Sequence, residues 1–204
     1  TKHQPLISAT SEKTNQPVSI AIILRGESFR EDDEYLQRLS IRSHIYFLIK
    51  PLLKANPRLK LELVLCTYPD KRNSLIVSQL ERFGTVNTIE LSRERDNQIT
   101  TFEKILKFLA TSNHDGGMAS RLDLVLASPL SQLNFSPLTL AFPWPYPHDR
   151  KSLEIADQIH FIGREVARQL GQALESTAVD SKWPGTLHNL YNFALKINHN
   201  EFEF

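Results

Sequence analysis

Short, almost wholly apolar runs alternate along the chain with longer segments in which apolar residues recur every three or four positions. The short runs have the length of buried strands, and the longer segments have the period of helices packed on one face. The pattern predicts strands at residues 18–24, 59–67, 85–91 and 122–127, with helices between them at 34–54, 71–83 and 97–111. Residues 113–120, which include two glycines, are predicted to form a loop.

Three local signals help to set the ends of the predicted helices. Pro51 lies inside the first helical pattern and should kink or stop it, because proline has no backbone N–H to donate. Gly84 is a typical residue just beyond a helix end. Asp96 is the predicted N-cap of the third helix, since its side chain can accept from the first free amides.

Beyond residue 127 the alternation gives way to a proline-rich segment, 128–147, that carries four aromatic side chains. Such segments are often functional loops, and the rings could stack on a base or a sugar or pack on the core. A last strand is predicted at 158–162, followed by helices at 163–176 and 186–197. Strands that alternate with helices predict an α/β fold with a mostly parallel central sheet flanked by helices.

The stretch Arg25-Gly26-Glu27 stands at the carboxyl end of the first predicted strand. Open α/β sheets bind ligands at the carboxyl ends of their strands, near a reversal of strand order. Gly26 would allow a close backbone approach or a positive φ, and the fork of donors on Arg25 would suit a phosphate. A solvated turn that contains a glycine explains the same three residues equally well.

The composition is that of an ordinary globular protein with nearly balanced charge. The 204 residues include 24 basic and 23 acidic side chains, so nothing in the balance predicts nucleic-acid binding. Cys66 is the single cysteine, which excludes an internal disulfide and agrees with a cytoplasmic location. Residues 1–16 are predicted to be a disordered lead-in and residues 17–204 one domain. No apolar run reaches the ~18 residues of a transmembrane helix.

Several catalytic motifs are missing from the sequence. There is no glycine-rich dinucleotide fingerprint after the first strand, no phosphate-binding P-loop and no nucleophile elbow. The seven histidines lack the spacing of a metal site, so no metal-ligating residues are predicted. Dehydrogenase-like and hydrolase-like enzymes therefore lose support.

Four stretches in order carry a resemblance to one family: ILRGESFR from Ile23, DNQITTFEKIL from Asp96, ADQIHFIG from Ala156 and WPGTLHNLYNF from Trp183. They resemble the small glycosyltransferase domain with which large algal (chlorella) viruses decorate capsid glycans. The resemblance spans about residues 18–193 and implies a single-domain, nucleotide-sugar-binding GT-A fold of Rossmann-like type.

The same resemblance implies an activity. The domain would move a hexose or deoxyhexose from a nucleoside diphosphate sugar to a glycan or glycoprotein acceptor, which could be a viral capsid glycoprotein. A UDP-sugar such as UDP-glucose is the favoured donor. A viral protein of this kind would act in the host cytoplasm.

Individual residues take roles under this resemblance. Arg25, Gly26 and Glu27 would lie beside the sugar nucleotide, with Tyr68 stacked on the base. His188, in the first turn of the last helix, would contact the phosphate, since the amino ends of helices favour anions. Further contacts to diphosphate or ribose would come from side chains that also suit solvated or capping positions, namely Arg72, Arg93, Arg95, Gln98 and Thr101.

Asp157 and His160, in the ADQIHFIG stretch, are the candidate catalytic residues. Asp157 would orient an acceptor hydroxyl or the donor sugar, and His160 would donate to a phosphate or a sugar hydroxyl. The alternative for His160 is a buried structural histidine. Strand alternation puts these two side chains on opposite faces, so they need not act on one atom.

The sequence departs from the family at the divalent metal. Family members usually carry an Asp-any-Asp motif after the strand that corresponds to residues 122–127, and its carboxylates bind the ion. Here Ser128 and Pro129 follow the predicted strand, and Asp123 would lie inside it. A divalent metal such as manganese is therefore not supported by the sequence. The alternative function is a non-catalytic sugar- or nucleotide-binding module.

Overall fold

The structure, a computed structural model, describes residues 18–129, 140–141 and 159–178. Its strands are β1 (Ser19–Gly26), β2 (Lys60–Thr67), β3 (Thr85–Glu90), β4 (Gly116–Arg121), β5 (Leu140–Ala141) and β6 (Ile159–Gly163). Its helices are α1 (Glu34–His44), α2 (Lys50–Ala55), α3 (Asn73–Leu80), α4 (Gln98–Thr111) and α5 (Arg164–Ala178). Within the described ranges, no helix combines the length and the apolar composition needed to cross a bilayer.

The described strands form one sheet in the order β3-β2-β1-β4-β6-β5. Strands β1 to β4 are parallel, whereas β6 is antiparallel to both β4 and β5. The carboxyl ends of the four parallel strands therefore lie along one edge, and strand order reverses between β1 and β4. This confirms the predicted α/β fold with a mostly parallel sheet flanked by helices.

Strand β1 is buried on both faces, which explains its almost continuous apolar sequence. Ile20, Ile22 and Leu24 face a core that includes side chains of α1, α2 and α3. Ala21 and Ile23 face the opposite core, which α4 and α5 cover. Burial of each large aliphatic side chain stabilises the fold by about 1.5–3 kcal/mol, so this central strand anchors both layers.

The predicted irregularity at Pro51 appears as a turn of π-helix, Ile45–Ile49, that joins α1 to α2. The amide of Lys50 donates to the carbonyl of Ile45, five residues back, instead of to the usual acceptor four residues back. Pro51 occupies the first turn of α2, where its missing N–H is tolerated. The proline thus shifts the hydrogen-bonding pattern without ending the helical segment.

The predicted fourth strand is wrong by six residues. Strand β4 occupies Gly116–Arg121, which was predicted to be loop, and residues 122–127 follow it as irregular chain. A side chain at position 117 would be crowded, because a Cβ there would lie 2.5 Å from Cδ2 of Leu109 on α4 and 3.1 Å from the carbonyl oxygen of Ala21. The apolar side chains of Leu122 and Leu126 are buried in the core on the α1 side, so their pattern reflects packing without strand pairing.

The predicted cap of α4 is also corrected by one residue. Asn97 is the N-cap, and its Oδ1 accepts from the amides of Ile99 (2.8 Å) and Thr100 (3.1 Å). Asp96 instead accepts from the amide of Ser92 (2.6 Å) and from Lys104 Nζ (2.7 Å). The predicted lead-in at 1–16 and the last predicted helix at 186–197 lie outside the described residues.

Candidate functional site

The carboxyl edge is organised by the loop that follows β1, residues 27–33. This loop lies beside the reversal of strand order, where sheets of this kind bind ligands. It contacts the chain after β2, β3 and β4 through hydrogen bonds and ion pairs, which include Ser28–Thr67, Ser28–Asn73, Asp32–Arg72, Glu27–Arg93 and Arg30–Asp123. A ligand at this edge would therefore meet groups from all four parallel strands.

The Arg25-Gly26-Glu27 stretch lies at the centre of this edge. Arg25 is only 3% exposed and sits opposite Arg121 of β4 in the sheet. Gly26 has φ of 115°, a backbone conformation that other residues rarely adopt. A Cβ at this position would meet nothing within 4 Å, so glycine is favoured by the backbone angle and not by lack of space. Glu27 is half-buried and forms an ion pair with Arg93 at 2.6 Å.

The loop after β1 stores backbone strain. Phe29, Glu31 and Asp32 have φ of 50°, 57° and 59°, a left-handed conformation that costs non-glycine residues about 1–3 kcal/mol each. The amide of Phe29 donates to Oε1 of Gln37 (2.8 Å), and its buried ring packs under the guanidinium of Arg72 at 4.5 Å. Strain of this kind concentrates at ligand sites, which supports a binding role for the loop.

Tyr68, the predicted base-stacking residue, follows β2 directly. Its hydroxyl donates to the carbonyl of Asp96 (3.0 Å), and the guanidinium of Arg93 lies 5.1 Å from its ring centre. Burial raises the pKa of Tyr68, and the Asp96 carboxylate raises it further. A base that stacks on this ring would have to replace or share the position of Arg93, so the stacking role stays a prediction.

Arg72, a predicted phosphate ligand, is engaged with carboxylates. Its Nε and one terminal nitrogen lie 3.0 and 2.8 Å from the two oxygens of Asp70, and that nitrogen also contacts Asp32 at 2.9 Å. The Arg72 side chain lowers the pKa of Asp70 to about 2. These residues, with Glu34 and Lys71, line an open depression of about 630 Å³.

The remaining predicted donor contacts lie at the start of α4 and in the loop before it. Gln98 is exposed as the first residue of the helix, whereas Thr101 is buried. Arg93 and Arg95 are both exposed in the preceding loop. The placement of Gln98 and the two arginines is open to a ligand, and their roles stay predictions.

The corrected position of β4 moves Asp123 to just beyond the carboxyl end of a strand. Arg121 binds both of its oxygens, Nε to Oδ1 at 2.8 Å and a terminal nitrogen to Oδ2 at 2.6 Å. Arg30 approaches the same Oδ2 at 3.6 Å. The Arg121 hydrogen bond is the main reason that the pKa of Asp123 is lowered. The carboxylate is therefore ionised and held by two cationic groups.

A divalent ion does not fit this donor set. Magnesium and manganese need several oxygen ligands, whereas Asp123 supplies one carboxylate whose neighbours are guanidinium groups. In the part of the chain that the structure describes, no group of three or more His, Cys, Asp or Glu side chains could hold a metal ion. A role for a metal is therefore not assigned to these residues.

Solved structures identify the fold. The apo form of the glycosyltransferase GlyE from Streptococcus pneumoniae matches 89% of this chain with a TM-score of 0.53 and 15% sequence identity. A second GlyE structure matches 93% with a TM-score of 0.51 and 12% identity. The chain shares the fold of these glycosyltransferases. It spans less than half of their length, 44% and 45% respectively. No protein-family profile and no curated protein matches the sequence.

Of the two predicted catalytic residues, the structure describes His160. His160 lies on β6 with no exposed surface, and its ring meets Phe102 edge-on with centroids 5.2 Å apart. A catalytic role for His160 stays a prediction, and it would require the core to open towards the sugar. Asp157 and His188 lie outside the described residues.

Sequence reasoning missed a buried polar seam on α1, defined by Gln37, Ser40, Ser43 and His44. Ser40 Oγ lies 2.6 and 2.8 Å from the carbonyl oxygens of Leu122 and Leu124, and Gln37 Nε2 donates to the first of these at 3.2 Å. Ser43 Oγ accepts from the amide of Leu126 at 2.9 Å. The seam fixes the segment after β4 and thereby Asp123. Its signal in the sequence is polar residues at helical spacing within an apolar face.

His44 extends the seam to β4 itself. Its Nδ1 lies 2.9 Å from the carbonyl of Ser40, which can only accept, so Nδ1 carries the proton. Nε2 then accepts from the hydroxyl of Ser120 at 2.8 Å. Burial lowers the pKa of His44, which keeps this ring neutral.

Proposed function

We propose that the chain is a glycosyltransferase that moves a hexose or deoxyhexose from a nucleoside diphosphate sugar, with a UDP-sugar favoured, to a glycan acceptor. One observation carries the proposal. A charged and strained loop lies at the β1–β4 reversal of a sheet whose fold is shared with GlyE. Ligands of such sheets bind at that position.

The donor would lie along the carboxyl edge. Gly26 and Glu27 would border the sugar nucleotide, Tyr68 would meet the base, and Gln98 would reach the ribose or phosphate. Asp157 and His160 would act on the sugar or the acceptor. The capsid-glycan context is supported only by the sequence resemblance, and a cytoplasmic location by that resemblance and the single cysteine. Both form part of this proposal.

A non-catalytic nucleotide- or sugar-binding module is the second candidate. It is favoured by the state of Asp123, because a carboxylate held by Arg121 and Arg30 is poorly placed to ligate a metal at the donor diphosphate. The two candidates share the binding site and differ in turnover.

A thermal-shift panel of UDP-, GDP- and dTDP-sugars, with and without manganese, tests the shared site. A ligand at about 100 times its Kd should add about 2.7 kcal/mol of stability. Tyr68→Ala should abolish the shift, whereas Tyr46→Ala, which removes an exposed tyrosine elsewhere, should preserve it. No shift with any sugar nucleotide would contradict both candidates. A shift without transfer to glycan acceptors or hydrolysis of the donor would favour the binding module.

A further inference from the structure

Three arginines lie at the ends of β1 and β4 and in the loop after β1. Arg25, Arg30 and Arg121 carry guanidinium groups, and among the described residues Asp123 is the carboxylate paired with the last two. Glu27, which follows β1, is engaged by an arginine from the loop after β3. Two guanidinium groups, Arg30 and Arg121, therefore meet on one carboxylate at the reversal of strand order, beside the acidic side chains of Glu31, Asp32 and Asp33 in the same loop.

The Arg121–Asp123 pair has the geometry in which arginine binds phosphate. Nε and a terminal nitrogen of Arg121 lie 2.8 and 2.6 Å from Oδ1 and Oδ2 of Asp123, and a terminal nitrogen of Arg30 lies 3.6 Å from Oδ2. A phosphate presents the same pair of oxygens to a guanidinium fork. The side chains of Arg121 and Asp123 are 30% and 26% exposed, so an anion in solution can reach the pair.

We propose that Arg121 and Arg30 bind the diphosphate of the donor and that Asp123 competes with this diphosphate for their guanidinium groups. The inference rests on the proposed function, because it names the diphosphate subsite of that same site. Exchange of a carboxylate for a phosphate leaves both arginines paired with an anion, so neither guanidinium loses its partner.

This arrangement opposes the alternative that Asp123 holds a divalent cation. A cation on Oδ2 would sit beside the guanidinium groups of Arg121 and Arg30, and like charges at such distances repel. The two accounts predict opposite signs for one substitution. Asp123→Asn removes a competitor in the first account and a metal ligand in the second.

The test is calorimetric titration of the full chain with UDP, pyrophosphate and uridine, first in chelator and then in millimolar manganese. Arg121→Gln should weaken UDP and pyrophosphate about 10- to 100-fold in chelator, the loss expected for hydrogen bonds to a charged group. Asp123→Asn should tighten both by at least about threefold, since an ion pair that competes with the ligand is removed. Uridine affinity should not change in either variant.

The chain offers a matched control pair. Arg168 binds Glu165 through the same two-point contact on α5, at the opposite edge of the sheet. Arg168→Gln and Glu165→Gln change the net charge as the test variants do, and they should leave anion affinity unaltered. Arg121→Lys, which keeps the charge and loses the fork, should bind pyrophosphate with intermediate affinity and guards against an Arg121→Gln variant that does not fold.

The outcomes separate this inference from the proposed function. Weaker anion binding in Asp123→Asn together with a strong gain from manganese would overturn the inference and leave a metal-dependent glycosyltransferase. UDP binding that is equal in the test and control variants would also overturn it. Pyrophosphate binding that follows the expected pattern without any preference for UDP would support the anion subsite and contradict the proposed donor. Absence of binding by every probe would overturn both.

Discussion

At the amino edge of the sheet a chain of hydrogen bonds joins neighbouring strands, whereas at the carboxyl edge charged side chains pair across loops. On the amino edge, Nδ1 of His114 lies 2.8 Å from Ser19 Oγ, and its Nε2 lies 2.6 Å from Glu62 Oε2. The amide of Ser19 also donates to Asp115 Oδ2 at 2.8 Å. His114 is buried, so this edge of β1, β2 and the start of β4 is held by satisfied, mostly shielded bonds.

At the carboxyl edge, the ion pairs between the loop after β1 and the loops after β3 and β4 lie where water can reach them. The side chains of Arg30 and Arg93 are 58% and 63% exposed, although each takes part in an ion pair. Exposed ion pairs contribute about 0–1 kcal/mol each, so their partners can be exchanged at little cost in stability. The comparison shows that buried hydrogen bonds hold the strands together at one edge of the sheet. At the other edge, exposed ion pairs can exchange a protein partner for a charged ligand.

Replacement of the histidine at the amino edge should have the largest effect on stability. His114→Ala removes hydrogen bonds to Ser19 and to the charged Glu62, and we expect the free energy of unfolding to fall by about 2–4 kcal/mol. Urea denaturation measures this loss. Pyrophosphate and UDP affinity of the folded variant should match the wild type. A folded variant with altered ligand affinity would show that the two edges are not independent.

The next effect should arise at the polar seam, where structure and binding are coupled. Ser40→Ala removes a buried donor to the carbonyls of Leu122 and Leu124, and a single hydroxyl proton can serve one of them at a time. We expect the free energy of unfolding to fall by about 1–3 kcal/mol and pyrophosphate binding to become tighter, because the segment that carries Asp123, the competitor of the diphosphate, loosens. Ser78→Ala is the matched control, since its hydroxyl bonds only within α3 on an exposed surface. Equal effects of the two variants would argue against the seam.

The sequence predicts β1, β2 and α4 well, because each has a long apolar pattern, and it also places the short strand β3 within one residue of its observed end. It fails at β4, where close packing selects small residues. Gly117 lies directly under Leu109, and the strand sequence Gly-Gly-Met-Ala-Ser has the composition of a loop. The apolar run after it was predicted to be the strand, although its leucines pack against α1. The apolar pattern of a short segment indicates that the segment is buried. Whether a glycine-rich segment such as residues 116–121 pairs as a strand depends on the elements packed around it.

The candidate site likewise has one part that the apolar pattern predicts and one part that depends on tertiary packing. The pattern correctly put Gly26 at the end of a strand, because the apolar run of β1 stops there. It could not reveal that Arg121 and Arg30 converge on Asp123, because these contacts depend on the true end of β4 and on the left-handed turn after β1. Both features are set by tertiary packing, and neither leaves a periodic signal in the sequence.

A smaller effect is expected at the glycine of the carboxyl edge. Gly26→Ala forces an L-residue to φ of 115°, which costs about 1–3 kcal/mol although the space for a Cβ is open. Gly171→Ala in α5 is the matched control, and there the same change should stabilise the fold by about 0.5–1 kcal/mol. Thermal denaturation of both variants gives the comparison. A neutral Gly26→Ala would show that the turn relaxes easily and that its backbone angle is not a fixed part of the site.

The smallest effect concerns how the free energy of unfolding depends on pH below 4, through the Asp70–Arg72 pair at the carboxyl edge. Arg72 lowers the pKa of Asp70 from its usual 3.8 to about 2, so the folded state binds this proton more weakly than the unfolded chain. The resulting stabilisation is fully present above pH ~4 and is lost as the pH falls towards 2. Because the pair lies near the surface, Asp70→Asn should cost about 0–1 kcal/mol at neutral pH and make the unfolding free energy less steep between pH 4 and 2. Urea titrations at several pH values test this. An unchanged slope would mean that Arg72 is free to leave Asp70, which is the behaviour that its predicted phosphate role requires.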